Sequence, residues 1–214
     1  MKNPIFDELI KLKLISKLNL ITLSNKTRDK NIKVIKDLKT KIIFLEKYIT
    51  TNEYYSSKNY KDVFKKDTKN STIKIANIKT LSGNIKTPLI KDDLRRATNF
   101  EKNLKNKDIL DFGCGWGGFL RNIKNYKSLS GVELRKDCIR YIKNNIKKIN
   151  ILDNINSFDR KFDIITMFHV LEHVPYQIDT LKVLKSKLKN KGKIIIEVPH
   201  AEDFLILQEE LKEF

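Results

Sequence analysis

The chain has 214 residues, of which 40% are apolar and 33% are charged, a composition typical of a folded globular protein and not of a disordered one. Because it contains no run of about 18 apolar residues, no membrane-spanning helix is predicted. Two cysteines, Cys114 and Cys138, are too few for a disulfide framework or a zinc ribbon, and the acidic Asp7 and Glu8 argue against a signal peptide. We therefore expect a protein of the reducing cytoplasm.

The net charge of +18 is concentrated in the first half of the chain. Residues 1–107 carry 26 basic and 11 acidic side chains, whereas the remaining residues carry 18 and 15. Such an asymmetry indicates either a basic face for nucleic acid or a coding bias. The 37 lysines against 7 arginines, with 29 isoleucines and 20 asparagines, favour a drift toward A+T-rich codons. Arginine would be the usual residue for phosphate recognition.

The first 90 residues predict an N-terminal α+β extension, which we expect to determine substrate specificity. Apolar spacing over Glu8–Leu23 predicts a short helix. The segments Asn31–Asp37 and Lys41–Leu45 have two interpretations, a β-hairpin or one amphipathic helix, and their β-branched residues favour the hairpin. Breaks in the chain are predicted at Gly83 and Pro88.

From residue 91 onward, apolar runs alternate regularly with amphipathic stretches. Helices are predicted at Lys91–Leu104, Phe119–Tyr126, Asp137–Lys148 and Gln177–Leu188, with a stop signal at Lys189–Gly192. Strands are predicted at Asp108–Phe112, Ser128–Leu134, Ile151–Ile155, Phe162–Phe168 and Lys193–Val198. This alternation predicts an α/β fold, in which helices cover both faces of a parallel sheet and the crossovers are right-handed.

The segment Asp111–Gly118, with the sequence DFGCGWGG, joins the first of these strands to the following helix. Its glycines permit a tight turn and a close approach of the backbone to a ligand. Glu133 ends the next strand, where a carboxylate can accept hydrogen bonds from both ribose hydroxyls. Together these features predict a site for a nucleoside-type cofactor. The G-x-G-x-G spacing, with Asp111 beside it, suits a cationic amino-acid tail better than a pyrophosphate.

These motifs resemble those of class I S-adenosylmethionine-dependent methyltransferases, and most closely the domains grouped with ubiquinone-biosynthesis-like enzymes. The segments that carry the resemblance are Ile109–Leu120, Gly131–Leu134, Phe162–Val174 and Leu188–Pro199. It implies a Rossmann-like, doubly wound, mostly parallel sheet of strand order 3-2-1-4-5, within a cofactor-binding domain over residues 91–214. Members of this class normally continue with two more strands, whereas Ala201–Phe214 predicts a helix. We therefore expect the C-terminal hairpin to be absent.

The resemblance also implies S-adenosyl-L-methionine as the cofactor and a role for each motif residue. Gly113, Gly115 and Gly117 would form the loop under the methionine part of the cofactor. Asp111 would orient this loop or receive the ammonium group, and Glu133 would hold the ribose.

The adenine and the methyl group would lie against residues that follow later strands. Leu134 would contact the face of the adenine, and the turn at Asn154 and Ile155 would contact its edge. Many relatives have an acid in that turn, so Asn154 departs from the family pattern. Phe168 and His169 would border the methyl group, at strand ends where open α/β sheets bind ligands.

The implied reaction is a direct displacement at the methyl carbon of a sulfonium, for which the protein mainly supplies alignment. A hydroxyl acceptor would also need a base. The predicted catalytic residues are His169, Glu172 and Tyr176, and the sequence leaves Glu197 and His200 as further alternatives for the base.

The pattern His169-Val170-Leu171-Glu172-His173 also matches the H-x-x-E-H signature of a class of zinc proteases. Here it lies on a strand-to-helix turn of a different fold, and such a signature requires its own structural context. The sequence therefore predicts no metal site.

The sequence is compatible with three functions. The sequence favours a methyltransferase that acts on a small-molecule acceptor, sugars included. The first alternative is a methyltransferase or binding protein that engages RNA or protein through the basic N-terminal region. It is less favoured because the Asn/Asp-Pro-Pro-Tyr motif, which base-modifying relatives often carry, is missing after the fourth strand. The second alternative is a truncated, non-catalytic remnant that still binds the cofactor.

Overall fold

The computed structural model describes residues 3–27, 30–47, 74–80, 83–89 and 91–200. The chain divides into two compact units. The first combines Met1–Thr50 with Glu172–Thr180 and Val198–Phe214, and the second combines Thr51–Leu171 with Leu181–Glu197. The expected helix over 201–214 and the expected absence of a C-terminal hairpin lie outside the described residues. Among the helices that are described, none has the length and apolar character that crossing a membrane requires.

The first unit begins with helix α1, Pro4–Lys11, which starts earlier than predicted. Asn3 explains this start, because its side chain accepts a hydrogen bond from the N–H of Ile5 at 3.2 Å and a proline occupies the first helical position. The remainder of the predicted helix is wrong, since Leu20–Ser24 form strand β1. The β-branched residues of that segment favour a strand.

Strands β2 (Val34–Asp37) and β3 (Ile43–Leu45) confirm the predicted hairpin, and the alternative of one amphipathic helix is wrong. The fully buried Asp37 closes the turn by accepting hydrogen bonds from the N–H groups of Thr40 at 2.7 Å and Lys39 at 3.1 Å. The hydrogen bond from Thr40 holds the pKa of Asp37 below its ordinary value. Together with β1, these strands form an antiparallel sheet in the order β1-β2-β3.

A second antiparallel hairpin consists of β4 (Lys74–Thr80) and β5 (Gly83–Leu89). Gly83 begins β5, in agreement with the break predicted there. The break predicted at Pro88 is wrong, because this residue lies within β5 and is paired with β4. Both strands of a two-stranded sheet are edge strands, in which proline is tolerated.

The second unit is built on five parallel strands and the helices that precede and connect them. The strands are β6 (Asp108–Phe112), β7 (Ser128–Val132), β8 (Ile149–Leu152), β9 (Phe162–Phe168) and β10 (Leu188–Glu197). The helices are α2 (Lys91–Asn99), α3 (Glu101–Leu104), α4 (Gly118–Asn122), α5 (Lys136–Asn145) and α6 (Gln177–Ser186), of which the part after Thr180 belongs to this unit. The sheet order β10-β9-β6-β7-β8, with every pair parallel, confirms the predicted Rossmann-like α/β fold and its 3-2-1-4-5 strand order.

Several predicted boundaries of these elements are wrong. The helix predicted to begin at residue 91 is interrupted at Phe100, and α4 ends at Asn122, earlier than predicted. Strand β8 begins at Ile149, which pairs with Leu129 of β7. The predicted stop signal Lys189–Gly192 lies inside β10, at a point where the pairing with β9 shifts in register.

The two faces of this sheet bury separate apolar cores. Ile109 and Leu110 are adjacent in β6 and fully buried, and they point to opposite faces. Ile109 belongs to the cluster packed by α2 to α5, and Leu110 belongs to the cluster packed by α6. Because the strands are parallel, their carboxyl ends share one edge, the carboxyl edge, and their amino ends share the opposite amino edge. Ligands of open α/β sheets bind at the carboxyl edge.

At the amino edge, Asp108 is the centre of a cluster of charged and polar residues that joins β6, β7 and β10 to the segment before β9. Its buried carboxylate accepts hydrogen bonds from Ser128 at 2.6 Å, Arg160 at 2.5 Å and Lys189 at 2.5 Å, and Lys127 lies 3.3 Å away. Burial raises the pKa of Asp108, but these hydrogen bonds lower it by more, so the pKa lies well below its ordinary value.

The substitution Asp108→Asn removes the negative charge from this cluster. The pKa of Asp108 is lower in the folded than in the unfolded state, so its stabilisation is present above about pH 4 and is lost as the pH falls below that value. We expect the variant to lose about 2 kcal/mol of unfolding free energy at neutral pH and to be less sensitive to acid than the wild type.

Urea unfolding at neutral and acidic pH measures both effects. The matched control is Asp159→Asn, which removes an exposed carboxylate directly before Arg160, in the connection between β8 and β9. An equal loss of stability in the two variants would contradict the stabilising role of the Asp108 carboxylate.

Candidate functional site

Three glycines shape the loop that leaves β6 at the carboxyl edge. Gly113, Gly115 and Gly117 have φ angles of 79°, 52° and 72°, in the left-handed region that favours glycine. A Cβ atom on Gly113 would collide with Val170, whereas a Cβ atom on Gly115 would have no atom of the described part of the chain within 4 Å. Gly115 therefore faces open space from which a ligand can approach the backbone closely.

Glu133, directly after β7, ties this loop to the neighbouring strand. One carboxylate oxygen accepts a hydrogen bond from the N–H of Gly115 at 2.8 Å, and the other accepts one from the N–H of Arg135 at 2.9 Å. Since a carboxylate has about four acceptor positions, Glu133 can also bind the hydroxyl groups of a ligand. The next residue, Leu134, is 63% exposed and offers an apolar surface to a flat ring.

Asp111 is a buried carboxylate of β6 that lies directly before the loop. It is 4% exposed and accepts a hydrogen bond from the Thr166 hydroxyl at 2.7 Å. Burial raises the pKa of Asp111 to about 7, the hydrogen bond from Thr166 opposes this rise, and the charge of Asp93 adds to it. A cationic group bound beside Asp111 would favour its ionised form, which fits the ammonium role that the resemblance implies.

Sequence reasoning missed two charged residues of α2 at this site. The Asp93 carboxylate lies so close to Gly118 that a Cβ atom on that glycine would overlap it. Arg96 is 6% exposed and donates hydrogen bonds to Asp93 at 3.5 Å and to Glu197 at 2.6 Å. Burial raises the pKa of Asp93, and the charge of Arg96 opposes that rise. In the sequence, these two residues are marked only by a pair of acids and a pair of arginines within one predicted helix.

Phe168 and His169 lie at the end of β9, next to Glu197 at the end of β10. The Phe168 ring packs edge-on against Phe119, with ring centroids 4.9 Å apart. His169 has a left-handed φ of 53°, and its N–H donates to the Glu197 carbonyl at 2.8 Å. Its Nε2 lies 3.3 Å from the Glu197 carboxylate. The structure thus brings together two of the alternatives that the sequence left for a base.

The turn after β8 contains Asn154 and Ile155, the implied contacts of the adenine edge. The Asn154 side chain accepts a hydrogen bond from the N–H of Asn156 at 2.8 Å and caps a single helical turn. The Ile155 side chain is buried in the core that α6 covers. The adenine contact stays a prediction, and it has to come from Asn154 or from the backbone, since the Ile155 side chain points into the core.

The other two predicted catalytic residues, Glu172 and Tyr176, belong to the segment Glu172–Thr180 of the first unit. The half-buried Glu172 carboxylate lies 3.8 Å from Nε2 of His173, and Tyr176 is 58% exposed. Their catalytic roles stay predictions. Within the described ranges, no group of three or more His, Cys, Asp or Glu side chains is arranged to hold a metal ion.

A parallel sheet of this order, a glycine loop after its central strand and an acid after the next strand define a class I methyltransferase domain. A family model described as a methyltransferase domain matches residues 87–213, more than half of the chain. The chain therefore belongs to this family of methyltransferase domains. It is a class I methyltransferase domain, a class that depends on S-adenosylmethionine.

Curated relatives match the chain over part of their own length. An uncharacterized protein of Methanocaldococcus jannaschii is 32% identical over 133 residues, which cover 61% of this chain and 57% of that protein. The tRNA U34 carboxymethyltransferase of Nautilia profundicola is 36% identical over 105 residues, 44% of this chain and 35% of that enzyme. The mitochondrial ubiquinone biosynthesis O-methyltransferase of Saccharomyces cerevisiae is 32% identical over 120 residues, which cover 49% of this chain and 38% of that enzyme. The chain thus spans between 35% and 57% of the length of these relatives.

Among solved structures, the plantazolicin methyltransferase BpumL has a similar fold. Its complex with a triazolic desmethylPZN analog and SAH superposes with a TM-score of 0.55 at 18% identity, covering 76% of this chain and 63% of that chain. At this level of identity the similarity supports the fold alone.

We expect Asp111→Asn to change how the stability of the protein depends on pH. Because the pKa of Asp111 is raised in the folded state, its stabilisation is present below about pH 4 and is lost as the pH rises through about 7. The variant should gain stability relative to wild type by about 2–4 kcal/mol between pH 5 and pH 8. Unfolding in urea at both pH values measures this change, and a constant difference between the two proteins would contradict it.

The loop geometry predicts different effects for two glycine substitutions. Gly115→Ala should cost about 1–2 kcal/mol of stability, because it meets only the left-handed backbone penalty. Gly113→Ala should cost clearly more, because its added methyl group also overlaps Val170. Equilibrium unfolding of the two variants measures both losses, and each variant is the control of the other. A larger loss of stability for Gly115→Ala would contradict this prediction.

Proposed function

We propose that this protein is an S-adenosylmethionine-dependent methyltransferase that acts on a small-molecule acceptor, sugars included. One observation carries the proposal: the backbone of Gly115 faces open space while its N–H is held by the Glu133 carboxylate. A nucleoside cofactor with an amino-acid tail needs both features, namely a close approach to the loop and a carboxylate for its ribose. Membership of the methyltransferase family supports the same function.

Each part of the cofactor has residues of matching chemistry at the carboxyl edge. Glu133 binds the ribose hydroxyls, and the exposed Leu134 packs against the adenine. The glycine loop and the buried Asp111 hold the amino-acid part, whose ammonium group stabilises the ionised carboxylate. When bound, the cofactor supplies a methyl group activated by a sulfonium.

The chain contributes alignment and a proton acceptor to the transfer. A lone pair of the acceptor forms a bond to the methyl carbon, and the electron pair of the breaking C–S bond stays on sulfur. His169, at the end of β9, accepts the proton that a hydroxyl acceptor loses. Glu172 and Tyr176 are the other residues that we propose as contributors to catalysis.

The acceptor is selected by residues outside the cofactor loop, and we assign this role to residues 1–90. An RNA or protein acceptor is the second candidate. It is supported by the excess of basic over acidic residues, 26 against 11, in residues 1–107 and by the similarity to a tRNA carboxymethyltransferase.

Calorimetry with S-adenosylhomocysteine tests the cofactor site directly. We expect wild type to bind, and Glu133→Gln to weaken binding by about 1–3 kcal/mol because buried hydrogen bonds are lost. The control is Asp137→Asn, which removes a neighbouring carboxylate that pairs with Arg135 and should leave the affinity unchanged. A folded wild-type protein that does not bind S-adenosylhomocysteine would refute the proposed function.

Release of S-adenosylhomocysteine from S-adenosylmethionine then separates the acceptor classes. We expect turnover with a panel of phenols, amines and sugars. Turnover with total RNA alone, falling steeply as salt is raised, would instead support the second candidate.

A further inference from the structure

Four charged or ionisable side chains form a continuous chain of contacts at the carboxyl edge, which we call the Asp93–Arg96–Glu197–His169 network. Arg96 bridges Asp93 of its own helix and Glu197, to which it donates from Nε at 3.1 Å and from Nη2 at 2.6 Å. Glu197 in turn lies 3.3 Å from Nε2 of His169. The network therefore runs from the residue that touches the glycine loop to the imidazole at the end of β9.

The centre of this network is an ion pair in which the arginine is buried. The Arg96 side chain is 7% exposed and its guanidinium lies over the Phe168 ring at 5.1 Å, whereas Glu197 is 28% exposed. The hydrogen bond from Arg96 lowers the pKa of Glu197, burial opposes this effect, and the charges of Arg96 and Arg95 lower the pKa further. Glu197 therefore carries its negative charge at neutral pH, although it is partly removed from water.

His169 is held at two points by the same residue. Its backbone N–H donates to the carbonyl of Glu197, and its ring nitrogen faces the carboxylate of Glu197. The backbone of His169 is left-handed, a conformation that costs free energy in a residue other than glycine and that concentrates at functional positions. The ring itself is 46% exposed, so burial in a core does not account for this strain.

We propose that Glu197 and Arg96 are positioning residues that hold the His169 imidazole as the proton acceptor for the methyl acceptor. A carboxylate that faces Nε2–H favours the tautomer with its lone pair on Nδ1 and fixes the orientation of the ring. Arg96 keeps the carboxylate in place, and its contact with Asp93 links it to the cofactor loop. This inference rests on the proposed function.

The arrangement defines the chemical class of the acceptor. A base is useful only if the attacking atom loses a proton, so the acceptor attacks through a protonated atom, such as a hydroxyl oxygen, an N–H nitrogen, a thiol sulfur or an acidic carbon. As the lone pair of that atom forms the bond to the methyl carbon, its proton passes to Nδ1 of His169. On α2 and β10, Glu197 faces this imidazole, Arg95 and Arg96 bind Glu197, and Asp93 pairs with Arg96.

A simpler role for the ion pair would be to fasten α2 to the end of β10. That role accounts for the contact between Arg96 and Glu197 but requires nothing of the imidazole. The two roles therefore differ in the reactivity of His169, which can be measured without knowing the acceptor.

The test uses diethyl pyrocarbonate, which acylates the unprotonated imidazole nitrogen, with the modified histidines quantified by peptide mass spectrometry. His173 is the internal control, because its side chain is also 46% exposed. At pH 8 we expect Glu197→Gln to slow modification of His169 by about threefold or more, because the ring is then no longer held in the tautomer that presents its lone pair on Nδ1. We expect His173 to react at the same rate in both proteins. Arg96→Lys, which cannot donate from two nitrogens of one planar group, should give an intermediate rate at His169.

Binding of S-adenosylhomocysteine by the same variants separates this inference from the proposed function. Glu197→Gln should bind it as wild type does, which also shows that the variant is folded. An unchanged rate at His169, or an equal change at His169 and His173, would overturn the positioning role even if the cofactor binds. A wild type that does not bind the cofactor would overturn the proposed function, whatever the rate at His169.

Discussion

The architecture of the second unit depends on one tight connection, in which strand β6 passes into helix α4 through a loop of five residues. Three left-handed glycines make this turn, and the backbone conformation alone would cost any other residue about 1–2 kcal/mol at each of these positions. Because the turn is so tight, the N–H of Gly115 reaches Glu133, directly after the next strand. The same geometry leaves space beside Gly115 that the described residues do not fill, so the turn that completes the fold also creates the binding surface.

The carboxylates around this loop differ in their surroundings, and therefore in what they contribute. Glu133 is bound by two backbone N–H groups, which hold it in place. Asp111 is buried and Asp93 is partly buried, and this burial raises the pKa of both. A buried carboxylate whose charge is poorly compensated destabilises the protein alone, but it is prepared to bind a cation. The loop thus gives up some stability where a cationic ligand group can restore it.

The sequence predicted those features of the fold and site that depend on neighbouring residues. The bounds of β6 and β9 are as predicted, because each is a short apolar run followed by residues that cannot continue a strand. The start of α1 was missed, since it depends on one capping side chain outside the apolar pattern. Residues 189–192 resemble a turn in composition but lie in β10, where pairing with β9 overrides local preference. Arg96 and Glu197 are separated by 101 positions, so no periodic pattern connects them.

The Asp108 cluster has a consequence for how this protein can change over evolutionary time. It ties the beginnings of β6, β7 and β10 to one carboxylate, at the edge of the sheet opposite the glycine loop. The beginnings of these strands are therefore held together by contacts that lie far from the residues at the carboxyl edge. Substitutions at the carboxyl edge can reshape the surface there while this anchor of the sheet register is preserved. A lineage can in this way remodel that surface without first acquiring compensating mutations at the amino edge.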